Sequence, residues 1–238
     1  MFRAVLTLLF ITIYSTAVQG QAPGEFLLRY SASFGGLKAE STRRLDLSED
    51  GIYSMVSRTE LRVLGAEISS IDEYSTFRWK GNLPEPLSYR YEQSGIGSRK
   101  RSVDFDNENS TATYQVDDHC GTLAMDRPLY DDLSSFLVLR EQLANGTEDI
   151  SFDVVDKDTI KQYHYHVVDR ERLQTEIGIF NVVHVERIRD EGSARSTDFW
   201  LADSHDYILL KLVQIEPGER EIRLDITEAW INGEVLIP

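Results

Sequence analysis

Only one stretch of this chain carries a helical rhythm, and nearly everything on either side of it alternates with a period of two. From Pro128 to Gly146 the chain reads PLYDDLSSFLVLREQLANG. Leu133, Phe136, Leu137, Arg140 and Leu143 fall three or four residues apart, which draws one face of a 3.6-residue helix. Asp131 and Asp132 stand at its start, where a carboxylate accepts from free backbone N–H groups and meets the positive end of the helix dipole. Gly146 stands where a left-handed cap is expected. The spacing predicts a helix from about Asp132 to Asn145. Such a short helix is marginal in water, so its apolar stripe must be covered by the rest of the chain.

The rest of the chain reads as strand. Phe26, Leu28, Tyr30, Ala32 and Phe34 share one face, Gly35-Gly36 is a turn signal, and Leu37 to Leu47 returns with its apolar residues in phase. Ile52 to Leu64 and Ile71 to Trp79 follow the same pattern. Asn82 to Pro86 is not expected to be central strand, because proline donates no ladder hydrogen bond. Two short strands flank a turn at Asn107 to Asn109. After the helix the alternation restarts, with Tyr163, Tyr165 and Val167 on one side of the next strand. Turn signals recur about every 8–12 residues, as in a sandwich or barrel. The fold class expected is mainly β: a single antiparallel β-barrel, or a strongly curled sheet or sandwich, with one central amphipathic helix. Residues 23–238 read as one β-rich domain.

Residues 1–20 are a different object. Arg3 gives a basic start, Ala4 to Ala17 is an apolar run, and Val18-Gln19-Gly20 offers residues a signal peptidase accepts. The run is shorter than the ~20 residues needed to span a bilayer. A signal peptide cleaved after Gly20 is expected, with the mature protein in the periplasm and no membrane span after cleavage. The single cysteine, Cys120, allows no internal disulfide, so the core must hold the fold unaided. A buried or half-buried thiol is the expectation there. The formal net charge of −15 argues against nucleic acid and against anionic lipid surfaces as general partners. The oligomeric state is not legible.

Several blocks occur in an order that resembles a known family. They are Tyr30 to Ala39, Gly51-Ile52-Tyr53, Leu83-Pro84 with Pro86 leading into Tyr89, and Val103-Asp104-Phe105. The helix block follows, with Pro128, Asp132-Leu133-Ser134, Leu139-Arg140 and Gly146. Glu176-Ile177-Gly178 and the strand from Thr197 to Trp200 with Leu201-Ala202-Asp203 complete the set. Over most of the mature chain this order resembles the exported bacterial family of domain of unknown function 3108. The chain departs from it after Tyr207, where Ile208-Leu209 stands in place of an expected proline. The resemblance implies a periplasmic, β-rich domain and carries over no activity and no catalytic residue.

No nucleophile elbow, phosphate loop or dinucleotide fingerprint appears, so no cofactor is expected. His164 and His166 lie two apart on a strand and point the same way, and His184 follows on the next long strand. Three imidazoles could hold zinc. The expectation is nonetheless no metal, because these histidines occupy the solvated face opposite Tyr163 and Tyr165. Asp117-Asp118, Asp131-Asp132 and Asp72-Glu73 are the paired carboxylates that glycoside hydrolysis uses, but in so acidic a chain they discriminate nothing. Arg99-Lys100-Arg101 reads as a solvated loop. Arg140 sits on the apolar stripe of the helix and needs a carboxylate or carbonyl partner. With Trp79, Tyr89 and Trp200 it forms the set of expected ligand or structural polar contacts. The function expected is a non-enzymatic periplasmic protein that binds an envelope lipid or glycan in a curled β-sheet. The alternatives are a hydrolase acting on an envelope polymer and a structural partner in an envelope assembly.

Overall fold

The structure, a computed structural model, describes residues 22–95, 97–218 and 220–238. The expected signal peptide at residues 1–20 lies outside them. The first half of the chain holds β1 (Phe26–Phe34), β2 (Leu37–Leu47), β3 (Ile52–Val63), β4 (Ala66–Lys80), β5 (Leu83–Gly95), β6 (Arg99–Asp106), β7 (Thr111–Val116) and β8 (His119–Ala124). The short β9 (Leu129–Tyr130) leads into the helix α1 (Ser134–Ala144). The second half holds β10 (Asp149–Asp156), β11 (Thr159–Thr175), β12 (Gly178–Ile188), β13 (Ser196–Ala202), β14 (Leu209–Glu216), β15 (Arg220–Ile231) and β16 (Glu234–Val235).

All sixteen strands belong to one sheet. Strands β1 to β8 form one antiparallel meander and β10 to β15 another, and β1 pairs with β15 to join them. Among the described residues the only parallel pairing is β9 with β10, because α1 carries the chain across between them. Hydrogen bonding leaves β8 and β9 as the two margins, so the sheet is not closed. It is curled strongly enough to lay β9 against β5. Several of the hairpin turns hold a glycine at positive φ. At Gly95, φ is +78° and an added Cβ would sit 2.2 Å from the Ile68 carbonyl oxygen, so a side chain there would clash with backbone.

The proline segment takes part in the sheet, but not as central strand. Pro84 lies opposite Trp79 and Pro86 opposite Phe77 on β4. On the other side, β6 first pairs at Asp104 with Ser88. Residues 83–87 are thus edge strand on one side, where a missing N–H is tolerated. Asn107 Nδ2 donates to the Pro86 carbonyl at 2.8 Å.

Alternation puts one face of every long strand inside the curl, and α1 lies within it. The helix is shorter than the spacing suggested, Ser134 to Ala144, and it is buried more fully. Val138 and Leu139 are covered along with Leu137 and Leu143, because the sheet wraps round the helix instead of meeting it on one side. Its start is held by Asp131, whose Oδ1 accepts from the N–H groups of Leu133 and Ser134 at 2.9 Å each. Asp132 does not cap. Its carboxylate turns across the curl to Tyr163.

The inner face is not covered evenly. Around the helix, Leu45, Met55 and Phe77 are 0% exposed. Toward the other end of the same strands the inner residues lose cover. Along β1 the series runs from Leu28 and Tyr30, at 1% and 2%, to Phe34 at 39%. Ile71, Tyr91, Phe199, Leu212 and Ile222 are all half-buried at that end. The molecule is a cup, plugged by α1 at one end and open at the other.

Candidate functional site

Between plug and opening, the strands bring titratable side chains together on the inner face. Glu73 is in phase with Phe77 on β4, Tyr89 is in phase with Tyr91 on β5, and Arg101 is in phase with Val103 and Phe105 on β6. Tyr89 Oη donates to Glu73 Oε1 at 2.6 Å, and Tyr163 Oη on β11 donates to Asp132 Oδ1 at 2.9 Å. Arg101 stands 4.0 Å from Asp132 and 3.8 Å from Asp156, and its guanidinium lies 4.1 Å over the ring of Tyr91. Asp156 is also paired with Lys161 at 2.5 Å. Arg187 on β12 lies 3.3 Å over the ring of Tyr163.

Burial sets the proton affinities here. It raises the carboxyl of Glu73, and the neighbouring charge of Asp132 adds to the rise. It raises Asp132 too, against the pull of Arg101. The phenols of Tyr89 and Tyr163 are pushed well above the ordinary range by burial and by the adjacent carboxylates, so both stay donors. Beneath this group Asp131 is 0% exposed. Its Oδ2 accepts from Ser75 at 2.8 Å and from Ser134 at 2.7 Å, while burial pushes its carboxyl up to about 6.

The residues singled out from the sequence do not gather. Tyr89 belongs to the cluster. Trp79 is further toward the plug, edge-on to Tyr53 at 6.4 Å, with its Nε1 unpartnered. Arg140 is 6% exposed, donates through Nε to the carbonyl of Asp206, and has a buried Nη1 without a partner. Its partner is thus a main-chain carbonyl. Burial lowers its guanidinium to about 10. Trp200 lies on the outer face. Its ring stacks on His184 at 4.5 Å, Lys211 stands 4.1 Å over it, and Nε1 donates to Glu171 at 2.7 Å. His184 and Lys211 are its cross-strand neighbours on either side, so little of the ring is left to stack on anything else.

His166 pairs with Asp149 at 2.7 Å, and His164 is 4.0 Å from the same carboxylate. The register sets Glu186, not His184, opposite His166, and His184 pairs with Asp198 at 3.0 Å. Cys120 is exposed on β8, contrary to the buried thiol expected, because that strand is a margin of the sheet. Arg101 also departs from expectation: it is the third residue of β6 and turns inward, while Arg99 and Lys100 are exposed. Strand phase was the available signal for Glu73 and Arg101, since each continues an inward apolar series.

Fold and inner cluster together define a class: a β-barrel-like cup, one antiparallel sheet curled around a single helix. The crystal structure of a β-barrel-like protein of the DUF1849 domain of unknown function, from Brucella abortus, is similar to it. The TM-score is 0.60 at 10% identity, over 87% of this chain and 98% of that one. A Bacteroides fragilis protein described as a candidate exported protein with a YmcC-like fold matches at a TM-score of 0.34 and 10% identity, over 88% of this chain and 96% of that one. No curated protein matches in sequence. The chain belongs to the family described as Protein of unknown function (DUF3108), whose model matches residues 29–225. No helix among the described residues is long and apolar enough to cross a membrane.

Proposed function

We propose that this chain is an exported, non-catalytic binding protein of the periplasm, and that the open end of its cup takes a lipid-like molecule of the envelope. The observation that carries this reading is the loss of cover along the inner face. A core has no use for half-buried Ile71, Tyr91, Phe199, Leu212 and Ile222 in one region, whereas an apolar ligand is recognised by such a lining with a few polar groups among it. A glycan is favoured less, because sugars stack on free aromatic faces. Here Arg101 covers Tyr91, Arg187 covers Tyr163, and His184 with Lys211 flanks Trp200.

A second reading, a hydrolase of an envelope polymer, draws on Glu73 and Asp132, two carboxyls raised by burial at one place. Against it, both are already engaged by the phenols of Tyr89 and Tyr163.

Native mass spectrometry of the protein purified from its own periplasm tests the proposal. The expected result is an apolar adduct that is reduced in Phe199→Glu while the fold persists. A glycan adduct, or an apolar adduct unaffected by Phe199→Glu, refutes the lipid cup. So does an adduct-free protein that fails to take up an added single-chain amphiphile. Turnover of envelope polymer abolished by Glu73→Gln establishes the hydrolase instead.

A further inference from the structure

This inference rests on the cup reading and names the chemistry of the ligand's head. The chain carries 40 acidic and 25 basic residues, so a carboxylate partner is cheap to provide. Six arginines at the surface have one: Arg29, Arg44, Arg58, Arg62, Arg90 and Arg170 each pair with a carboxylate within 4 Å. Arg187 and Arg189 have no carboxylate within 4 Å among the described residues, although both are half-buried, and of the two only Arg187 acts on Asp132, from further away.

Their placement is specific. Arg187 projects to the inner side in phase with Val185 and Val183, and Arg189, just past the end of β12, reaches Thr197, which is in phase with inward Phe199 on β13. Tyr163 backs the flat face of Arg187 at 3.3 Å, which leaves the donor edge of the guanidinium free to point elsewhere. Arg189 Nη2 donates to Thr197 Oγ1 at 2.8 Å, and Thr197 is held in turn by Gln214 at 3.0 Å. Arg189 Nε is buried without a partner. The third guanidinium nearby, Arg195, is neutralised by Glu216 at 2.6 Å. Burial and the repulsion of Arg187 and Arg195 both disfavour the charge on Arg189. Two adjacent cations with few bulk waters around them are unfavourable unless an anion lies between them.

We infer that Arg187 and Arg189 form an oxyanion-binding point at the rim of the cup, and that its ligand is a phosphate group. A phosphate offers several acceptor oxygens and can engage two guanidinium forks at once, which a single carboxylate does less well. The phosphate could be a lipid headgroup or the free ion, and the chemistry at the arginines is the same. A headgroup there would put its acyl chains against Phe199 and Leu212, the inward residues of the adjoining strands.

The test is calorimetric titration of the mature protein with three probes: inorganic phosphate, dihexanoyl phosphatidic acid and dihexanoylglycerol, the last having the same tails without the phosphate. Variants are Arg187→Gln with Arg189→Gln, Arg189→Lys, and Arg172→Gln as a single-charge control at an exposed position of β11. The expected result is that the phospholipid binds at least about tenfold more tightly than the neutral lipid, as one or two charge-assisted hydrogen bonds would give. That preference should vanish in the double variant and persist in Arg172→Gln. Arg189→Lys keeps the charge and loses the fork, so a partial loss is expected. If the two lipids bind alike in wild type and double variant, the oxyanion point is overturned and the cup survives. If phosphate binds through these arginines and neither lipid does, the point stands and the cup falls. If none of the three binds, both are overturned.

Discussion

Asp131 is the buried charge whose removal should be most informative. Its carboxylate accepts four hydrogen bonds: the N–H groups of Leu133 and Ser134 that start α1, and the hydroxyls of Ser75 and Ser134. Asp131→Ala would orphan two buried N–H groups at about 1–3 kcal/mol each, so a loss of roughly 3–5 kcal/mol is expected. Asp131→Asn is gentler, since its oxygen can still accept from both N–H groups and its amide can donate to the two hydroxyls. What Asn removes is the titration. Burial raises this carboxyl from 3.8 to about 6, outweighing the hydrogen bonds from Ser134, Ser75 and Leu133 that pull it down. A raised folded value means that the native state holds the proton more tightly. The group's contribution is therefore greatest below about pH 4 and is lost as pH rises through about 6. Between about pH 4.5 and about pH 7.5 the linkage amounts to about 2 kcal/mol. Urea unfolding followed by fluorescence of the three tryptophans measures it. Wild type should lose about 2 kcal/mol relative to Asp131→Asn across that interval. A gap that stays constant, or that moves in favour of wild type, would show that the hydrogen bonds outweigh burial and that the carboxyl is not raised.

Two further outcomes follow from packing. Leu137 is 2% exposed within the curl, so Leu137→Ala should cost about 2–5 kcal/mol in the same unfolding assay, whereas half-buried Phe136 should cost less. Gly95→Ala should lower the thermal midpoint by several degrees, because it adds a Cβ 2.2 Å from a carbonyl oxygen at φ +78°.

The elements were legible because their signals are local. The hairpin of β1 and β2 follows from alternation broken at Gly35-Gly36, and α1 from the spacing of Leu133, Leu137, Arg140 and Leu143. The site was not legible for the opposite reason. Glu73, Arg101, Asp132 and Tyr163 stand on four separate elements and meet only because the sheet curls. Each looks ordinary alone in so acidic a chain. The inward phase of Glu73 beside Ser75 and Phe77 was visible, but a carboxylate at an inward position reads as a surface position until its phenol partner is placed opposite. Cys120 escaped for a related cause: the alternation says that a segment is strand, not that the strand is the margin of the sheet.

The joining of the two meanders at β1 and β15 bears on how the chain can assemble. Within each meander, nearly every pairing is between strands adjacent in sequence, and such contacts close cheaply. The junction is different: Arg29 on β1 meets Glu228 on β15 across 199 residues. Its closure entropy is the largest in the sheet, so it belongs late in folding, after both flanks have formed. The chain's beginning and end thus become the middle of the finished sheet, while its middle, around Met125 to Pro128, runs between the two margins. A break there would sever no strand pairing. The molecule is built as two complementary pieces that happen to be covalently continuous, with α1 carried by the second and gripped by the first through Ser75 and Asp131.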